Sequence, residues 1–303
     1  MSLAVELKAL TKVYAGGITA LNSLDLQVNP GEVFGIVGPD GAGKTTLLKT
    51  LAAILRPTAG SGQVLGHDLG QAPEQVRQRI GYIAQHFSLY GDLTVEENVD
   101  FTAALYPLRS DQAKLKAELL DRIGLAPFKD RLASNLSGGM KQKLALLCCL
   151  IHEPDLLLLD EPTVGVDPVS RREFWRILFS FEEVTVVAAT PYMDEAEQFD
   201  RLALLDGGSL LQVGSAREIR DSLPGRVLEV ACDDPFVSVG LLRGRPGIKD
   251  VQLFGDRLHV LVEEGAEPDL GGLLSAAEVK IARVRAIEPS VEDVFLQLST
   301  RAS

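Results

Sequence analysis

One stretch constrains this chain more than any other: Gly38-Pro39-Asp40-Gly41-Ala42-Gly43-Lys44-Thr45-Thr46. It has the form G-x-x-x-x-G-K-[ST], which suits one kind of chemistry. Its glycines let the backbone wrap round an anion with the N–H groups pointing inward. A helix starting near Lys44 would aim its positive N-terminal end at the same anion. Lys44 would reach the β- and γ-phosphates of a nucleotide, and Thr45 would ligate Mg²⁺. The flanks agree. Val33-Phe34-Gly35-Ile36-Val37 is a continuous apolar run, as expected of a buried parallel strand. A helix over about Lys44–Leu55 is predicted after the loop, with Pro57 preventing its continuation.

Further apolar runs at Ile80–Ala84, Leu156–Leu159 and Val184–Ala189 read as core strands. Helical periods fall between and beyond them, at Gln112–Ile123, Met140–Ile151 and Ser170–Phe181. Alternating strands and helices predict an α/β sheet. The run at Leu156–Leu159 ends in Asp160-Glu161. At the carboxyl end of a parallel strand, Asp160 would meet the Mg²⁺ of the phosphate loop. Glu161, one step further out, could hold and polarise an attacking water. Taken alone, the two acids could also be a solvated strand end before a turn at Pro162.

The N-terminal 32 residues alternate apolar and polar, as antiparallel strands with one wet face do. The segment from about 87 to 153 reads as a mainly helical subdomain. Asp206-Gly207-Gly208 predicts a hairpin turn, Ser215-Ala216-Arg217-Glu218 a capping box, and Leu223-Pro224-Gly225 a linker. From Arg226 the pattern restarts in a β-α-β-β-α-β order, which predicts a small ferredoxin-like α+β domain. The expected domains are therefore 1–222 and 226–303.

Leu136-Ser137-Gly138-Gly139-Met140 narrows the family. It resembles the L-S-G-G-Q signature of ABC ATPases, with Met in the last place. Tyr14 looks like the aromatic that stacks on adenine, Gln85 like the Q-loop glutamine, and Val164-Gly165-Val166-Asp167 like the D-loop. Over about residues 3–220 the chain resembles a P-loop NTPase of ABC type. Three segments resemble ATPases of multidrug and polysaccharide exporters: Glu288–Leu296, Tyr192–Glu197, and Asp160–Pro168 with Val169-Ser170-Arg171-Arg172.

The resemblance implies ATP and Mg²⁺ as cofactors. Tyr14 and Gly38–Thr46 would contact the nucleotide. Lys44, Gln85 and Glu161 would serve hydrolysis, and Thr45, Gln85 and Asp160 would hold the metal. Ser137, Gly138 and Gly139 open the helix at Met140–Ile151, which makes a second anion surface. In this family the two surfaces lie on opposite faces, so each ATP is clamped between two subunits. A second ATP-binding subunit is implied, either an identical chain or a paralogue. Integral membrane permease subunits are implied too, meeting the segment Ala84–Asn98. The expected location is the cytoplasmic face of a membrane.

The sequence departs from the family at Pro191, where a switch histidine usually contacts the γ-phosphate. Proline offers no donor there. Hydrolysis on Glu161 alone and completion of the site by a partner both remain open. His67, His86, His152 and His259 lie elsewhere in the motif order, and none is a clear replacement. Asp40 stands where Asn is common, and Met140 where Gln is.

Composition excludes several classes. Thirty basic and 42 acidic residues leave a net charge of −12, unsuited to a phosphate backbone, so no nucleic acid is expected. Cys148, Cys149 and Cys232 form no Cys-x-x-Cys pair, which argues against zinc or a disulfide framework. No apolar run reaches the roughly 18 residues of a membrane span, and no signal peptide is expected. Chromosome-associated ABC proteins carry coiled-coil or zinc insertions, and ribosome-associated ones carry two cassettes; neither feature appears. A non-catalytic regulatory module stays in play because of Pro191.

Overall fold

The computed structural model describes residues 2–85, 89–106 and 111–302. The chain divides into two compact units, residues 1–213 and 214–303.

In the first unit, β1 (Val5–Val13) and β2 (Thr19–Val28) pair antiparallel, with Val5 opposite Val28. The inward side chains are Val5, Leu7 and Leu10 on one strand, and Leu21, Leu24, Leu26 and Val28 on the other. The steps from Leu7 to Leu10 and from Leu21 to Leu24 break strict alternation. Ala9 and Ser23 take positive φ angles of 47° and 51° in those steps, so the strands bulge and the apolar face stays inward.

β3 (Val33–Val37) leads through the glycine loop into α1 (Lys44–Leu51). The helix ends sooner than Leu55: Ala52 caps it, and Ala53 turns to a φ of 53°. β4 (Ala59–Val64) and β5 (His67–Asp68) then return to β1, giving the order β2-β1-β4-β5. No apolar alternation marks Ala59–Val64 as a strand. It is held by pairing along β1, where a Cβ on Gly62 would come within 2.9 Å of Leu7 Cδ2.

Next come α2 (Pro73–Arg77), β6 (Ile80–Ile83), α3 (Val95–Ala104) and α4 (Gln112–Ile123). A reciprocal Thr94–Glu97 capping box starts α3; Asp111 caps α4, and Gly124 at φ 75° ends it. These are followed by α5 (Gly138–Leu150), β7 (Leu156–Asp160), α6 (Pro168–Leu178), β8 (Thr185–Thr190) and α7 (Met193–Ala196). β9 (Arg201–Asp206) and β10 (Ser209–Gly214) complete a sheet ordered β10-β9-β3-β8-β7-β6. The five strands from β9 to β6 are parallel. Leu156 and Leu158 face one core, with β1, β2 and α1. Leu157 and Leu159 face another, with α3 to α6. Burial on both faces is why this strand reads as an unbroken apolar run.

The second unit holds α8 (Ala216–Asp221), β11 (Arg226–Cys232), α9 (Pro235–Leu242), β12 (Ile248–Phe254), β13 (Arg257–Val262), α10 (Leu270–Ser275), β14 (Ile281–Ile287) and α11 (Val291–Ala302). Its strands form one antiparallel sheet, ordered β12-β13-β11-β14, the ferredoxin-like arrangement. The Ser215–Glu218 capping box opens α8, as its sequence predicts. α8 packs on α11, so the compact division falls before α8 and not at Leu223-Pro224-Gly225.

α11 is anchored to the sheet by Asp293, which accepts a hydrogen bond from His259 Nδ1 at 2.8 Å and others from the Ser290 amide and hydroxyl. Burial pushes the Asp293 acid up, but these donors outweigh it and hold it below its ordinary value. Such a carboxylate adds stability above its unfolded pKa and loses it as pH falls through the folded value. Thermal melts should show Asp293→Asn less stable than the parent at pH 7, by about 1–2 kcal/mol, as expected for weakened bonds to a charged acceptor. The gap should close below about pH 4.

Candidate active site

The Gly38–Thr46 loop is confined on two sides. A Cβ on Gly38 would lie 2.1 Å from the Leu205 carbonyl oxygen, and one on Gly43 would lie 2.5 Å from that of Ala20. Gly43 also takes a φ of 107°, which an L side chain disfavours. Within the loop, buried Lys44 Nζ donates to the carbonyls of Gly38 at 2.8 Å and Pro39 at 3.0 Å. It also pairs with Glu161 Oε1 at 2.9 Å. Thr45 Oγ1 donates to Asp160 Oδ1 at 2.8 Å. Tyr14 OH lies 3.3 Å from Thr46 Oγ1, and its ring is partly open to solvent. The topology produces these meetings: β3 and β7 flank β8, so the loop after β3 opens beside the carboxyl end of β7.

Asp160 and Glu161 diverge although they are adjacent. Asp160 stays in the strand, where burial raises its pKa; donation from Thr45 Oγ1 and from Tyr82 OH at 3.1 Å opposes this. The Tyr82 phenol is in turn pushed upward, first by burial and then by the Asp160 charge. Glu161 leaves the strand at a φ of 52°, with its N–H donating to the Ala189 carbonyl at 3.0 Å. That turn brings its carboxylate to Lys44, while Gln85 Nε2 donates to its other oxygen at 2.8 Å. Tyr82 escaped the sequence reading because its strand is otherwise apolar. The available signal was a polar tip three residues before Gln85.

The Thr45 hydroxyl and Asp160 carboxylate are hard oxygen donors that face each other. They suit Mg²⁺, which binds few protein oxygens and keeps water and phosphate oxygens for its other positions. Among the described residues no group of three or more His, Cys, Asp or Glu could cage a metal.

Ser137, Gly138 and Gly139 gather elsewhere in this unit. Ser137 Oγ caps α5 by accepting the Met140 N–H at 3.3 Å. Gly138 faces the Gly165 carbonyl, and a Cβ on Gly139 would lie 2.6 Å from Ser170 Cβ. The expected signature therefore sits against the expected D-loop, whose Asp167 caps α6 through Val169 and Ser170. Pro191 lies in the turn after β8. His67 contacts Arg79 at 3.3 Å, His152 stacks on Tyr106, and His259 belongs to the second unit. His86 lies outside the described residues. Burial pushes the Cys148 thiol up to about 12, so it packs as a small apolar group.

Residues 21–164 match the family model described as ABC transporter, and residues 214–299 match ATP-binding protein DrrA1-3-like, C-terminal domain. The daunorubicin resistance ATP-binding protein DrrA3 of Streptomyces coeruleorubidus is 36% identical over 293 residues, 94% of this chain and 92% of that protein. The chain belongs to the ABC transporter ATP-binding proteins. The probable multidrug ABC transporter ATP-binding protein YbhF of Escherichia coli (strain K12) is 43% identical over 235 residues, 75% of this chain. The match spans only 40% of YbhF's length. Among solved structures, the dimeric post-hydrolysis state of the ATP-binding cassette MJ0796, bound to ADP and Pi, aligns with a TM-score of 0.64. It is 28% identical and covers 70% of this chain and 98% of that one. As in this ABC ATPase family generally, the nucleotide is ATP. Among the described residues no helix is long and apolar enough to cross a membrane.

An acid whose pKa is raised in the fold disfavours folding once ionised, so Asp160 costs stability at neutral pH. Asp160→Asn should therefore melt no lower than the parent without nucleotide. It should lose Mg²⁺-dependent ATP affinity, read by calorimetry with and without the metal.

Proposed function

We propose that this chain hydrolyses Mg²⁺-ATP, and that closure of two such ATP-binding subunits drives separate integral membrane subunits of an exporter. The observation that carries this reading is the cluster at the ends of β3, β6 and β7: Lys44 on Glu161, Thr45 on Asp160, and Gln85 on Glu161. Bound Mg²⁺-ATP supplies the phosphoryl group to be transferred and the charge that Lys44, Thr45 and Asp160 recognise. The loop amides and Lys44 would hold phosphate, Thr45, Asp160 and Gln85 would hold the metal, and Tyr14 would stack on the base. Glu161 takes a proton from the attacking water, oriented by Gln85.

Ser137, Gly138 and Gly139 form a separate anion surface, available to the nucleotide of a second subunit. The dimeric post-hydrolysis state of MJ0796 supports that pairing. A groove of about 390 Å³ beside β6 suits a docked partner, here the membrane subunits; Ile54, Tyr90, Phe101 and Leu105 line it and remain exposed. The export direction rests on relatives named for multidrug transport and drug resistance.

Pro191 removes a charge-stabilising donor, a loss that costs ~10²–10³ in rate. Turnover by the purified chain should therefore be slow, rise more steeply than in proportion to chain concentration, vanish in Glu161→Gln and increase in Pro191→His. ATP binding without turnover, restored by Pro191→His or by a paralogous subunit, would assign completion of the site to a partner. Rates equal to those of histidine-bearing relatives and unmoved by Pro191→His would overturn the slow-turnover reading.

A further inference from the structure

Glu195 is 1% exposed, although it sits in the four-residue helix α7 and both Asp194 and Glu197 face solvent. A carboxylate withdrawn from water needs its oxygens satisfied. Two hydroxyls do this. Thr163 Oγ1 donates to Oε1 at 2.7 Å, and Thr190 Oγ1 donates to Oε2. Arg171 on α6 adds positive charge, with Nε 3.7 Å from Oε1. The same guanidinium lies over the Tyr192 ring at 4.6 Å and reaches Asp194 at 3.2 Å.

The two hydroxyls belong to the segments that hold Glu161. Thr163 lies two residues beyond Glu161 on the same loop. Thr190 follows Ala189, whose carbonyl accepts the Glu161 N–H at 3.0 Å. Thr190 Oγ1 also accepts the Tyr192 N–H at 3.0 Å, which closes the turn round Pro191. Glu161 occupies left-handed backbone at φ 52°, rare for a glutamate, and such a conformation persists only where its surroundings over-determine it. One buried carboxylate thus bridges both flanks of Glu161.

We propose that Glu195 is a positioning residue for hydrolysis, bridging Thr163 and Thr190 so that the Pro191 turn and the Glu161 loop move as one piece. Proline at 191 itself offers the site no side-chain donor. The turn acts through the backbone geometry that Glu195 maintains. The proposal rests on the reading of Glu161 as the hydrolytic base.

The test compares Glu195→Ala with Glu195→Gln in the full chain. Glutamine keeps the length and can accept from Thr190 while donating to Thr163. Glu195→Ala should lower kcat on the order of tenfold to a hundredfold, the scale of a small misplacement of reacting groups, with KM for ATP held within about twofold. Glu195→Gln should recover most of the rate. Thr163→Val and Thr190→Val each remove one strut and should each give part of the loss, which covers the case of an alanine variant that does not fold. Hydrogen–deuterium exchange over 161–167 and 189–193 should rise together in Glu195→Ala and not in Glu195→Gln. Unchanged kcat in Glu195→Ala, a matching loss of affinity for a fluorescent ATP analogue, or a rise confined to one segment would overturn the proposal. A parent chain that binds ATP without turnover, and that neither Pro191→His nor a paralogous subunit restores, would instead overturn the base assignment. The exchange pattern then decides the bridge by itself: a joint rise supports it, and no change overturns it.

Discussion

The buried ion pair between Lys44 and Glu161 joins two stretches of chain that the sequence keeps far apart. Both side chains are nearly inaccessible to water, at 3% and 5% exposure. Two charges withdrawn this far cost more than their attraction returns unless their remaining valences are met. They are met here: two loop carbonyls accept hydrogen bonds from Lys44, and Gln85 donates to the second Glu161 oxygen. Removing either charge would leave the other stranded, at a cost of about 3–5 kcal/mol. The loop, the end of β7 and Gln85, two residues beyond β6, are thus one electrostatic unit.

That unit is possible because the central sheet is parallel and covered on both faces. Its strand interiors accept only apolar side chains, and polar chemistry collects where the strands end. Asp160 and Tyr82 lie at the margin of this rule. Their mutual hydrogen bond, with the one from Thr45, is what makes a carboxylate tolerable there. Burial still leaves the Asp160 pKa raised, so the oxygen proposed to hold the metal is kept at some expense of stability.

The second unit follows other rules. Its antiparallel sheet places Leu228, Val230 and Cys232 towards a core with α9 and α10. Its opposite face carries Glu229 between Arg257 and Arg285, and their donors pull that acid down to about 2. α11 closes over part of this face through Asp293 and His259. The amphipathic spacing of Val291–Ala302 does not by itself say which surface that helix covers.

Sequence alone determined what rests on local chemistry. The glycines of 38–46 specify a tight loop because only they permit its backbone, and its lysine and threonine add the charge and hydroxyl suited to an anion and its metal. The unbroken run before Asp160 specifies a buried strand, and the β-α-β-β-α-β order specifies the second domain. Tertiary structure decided what rests on pairing between distant segments. β4, without apolar alternation, exists because β1 offers it an edge. Helix α1 stops at Leu51 because Ala53 must turn back towards that sheet. Tyr82 and Glu195 join the site because strand order sets β6, β7 and β8 side by side, and no spacing along the chain encodes that neighbourhood. The physical reason is one of range. Backbone preference and burial periodicity act over a few residues, whereas a hydrogen bond between residues 163 and 195 exists only once the sheet has assembled.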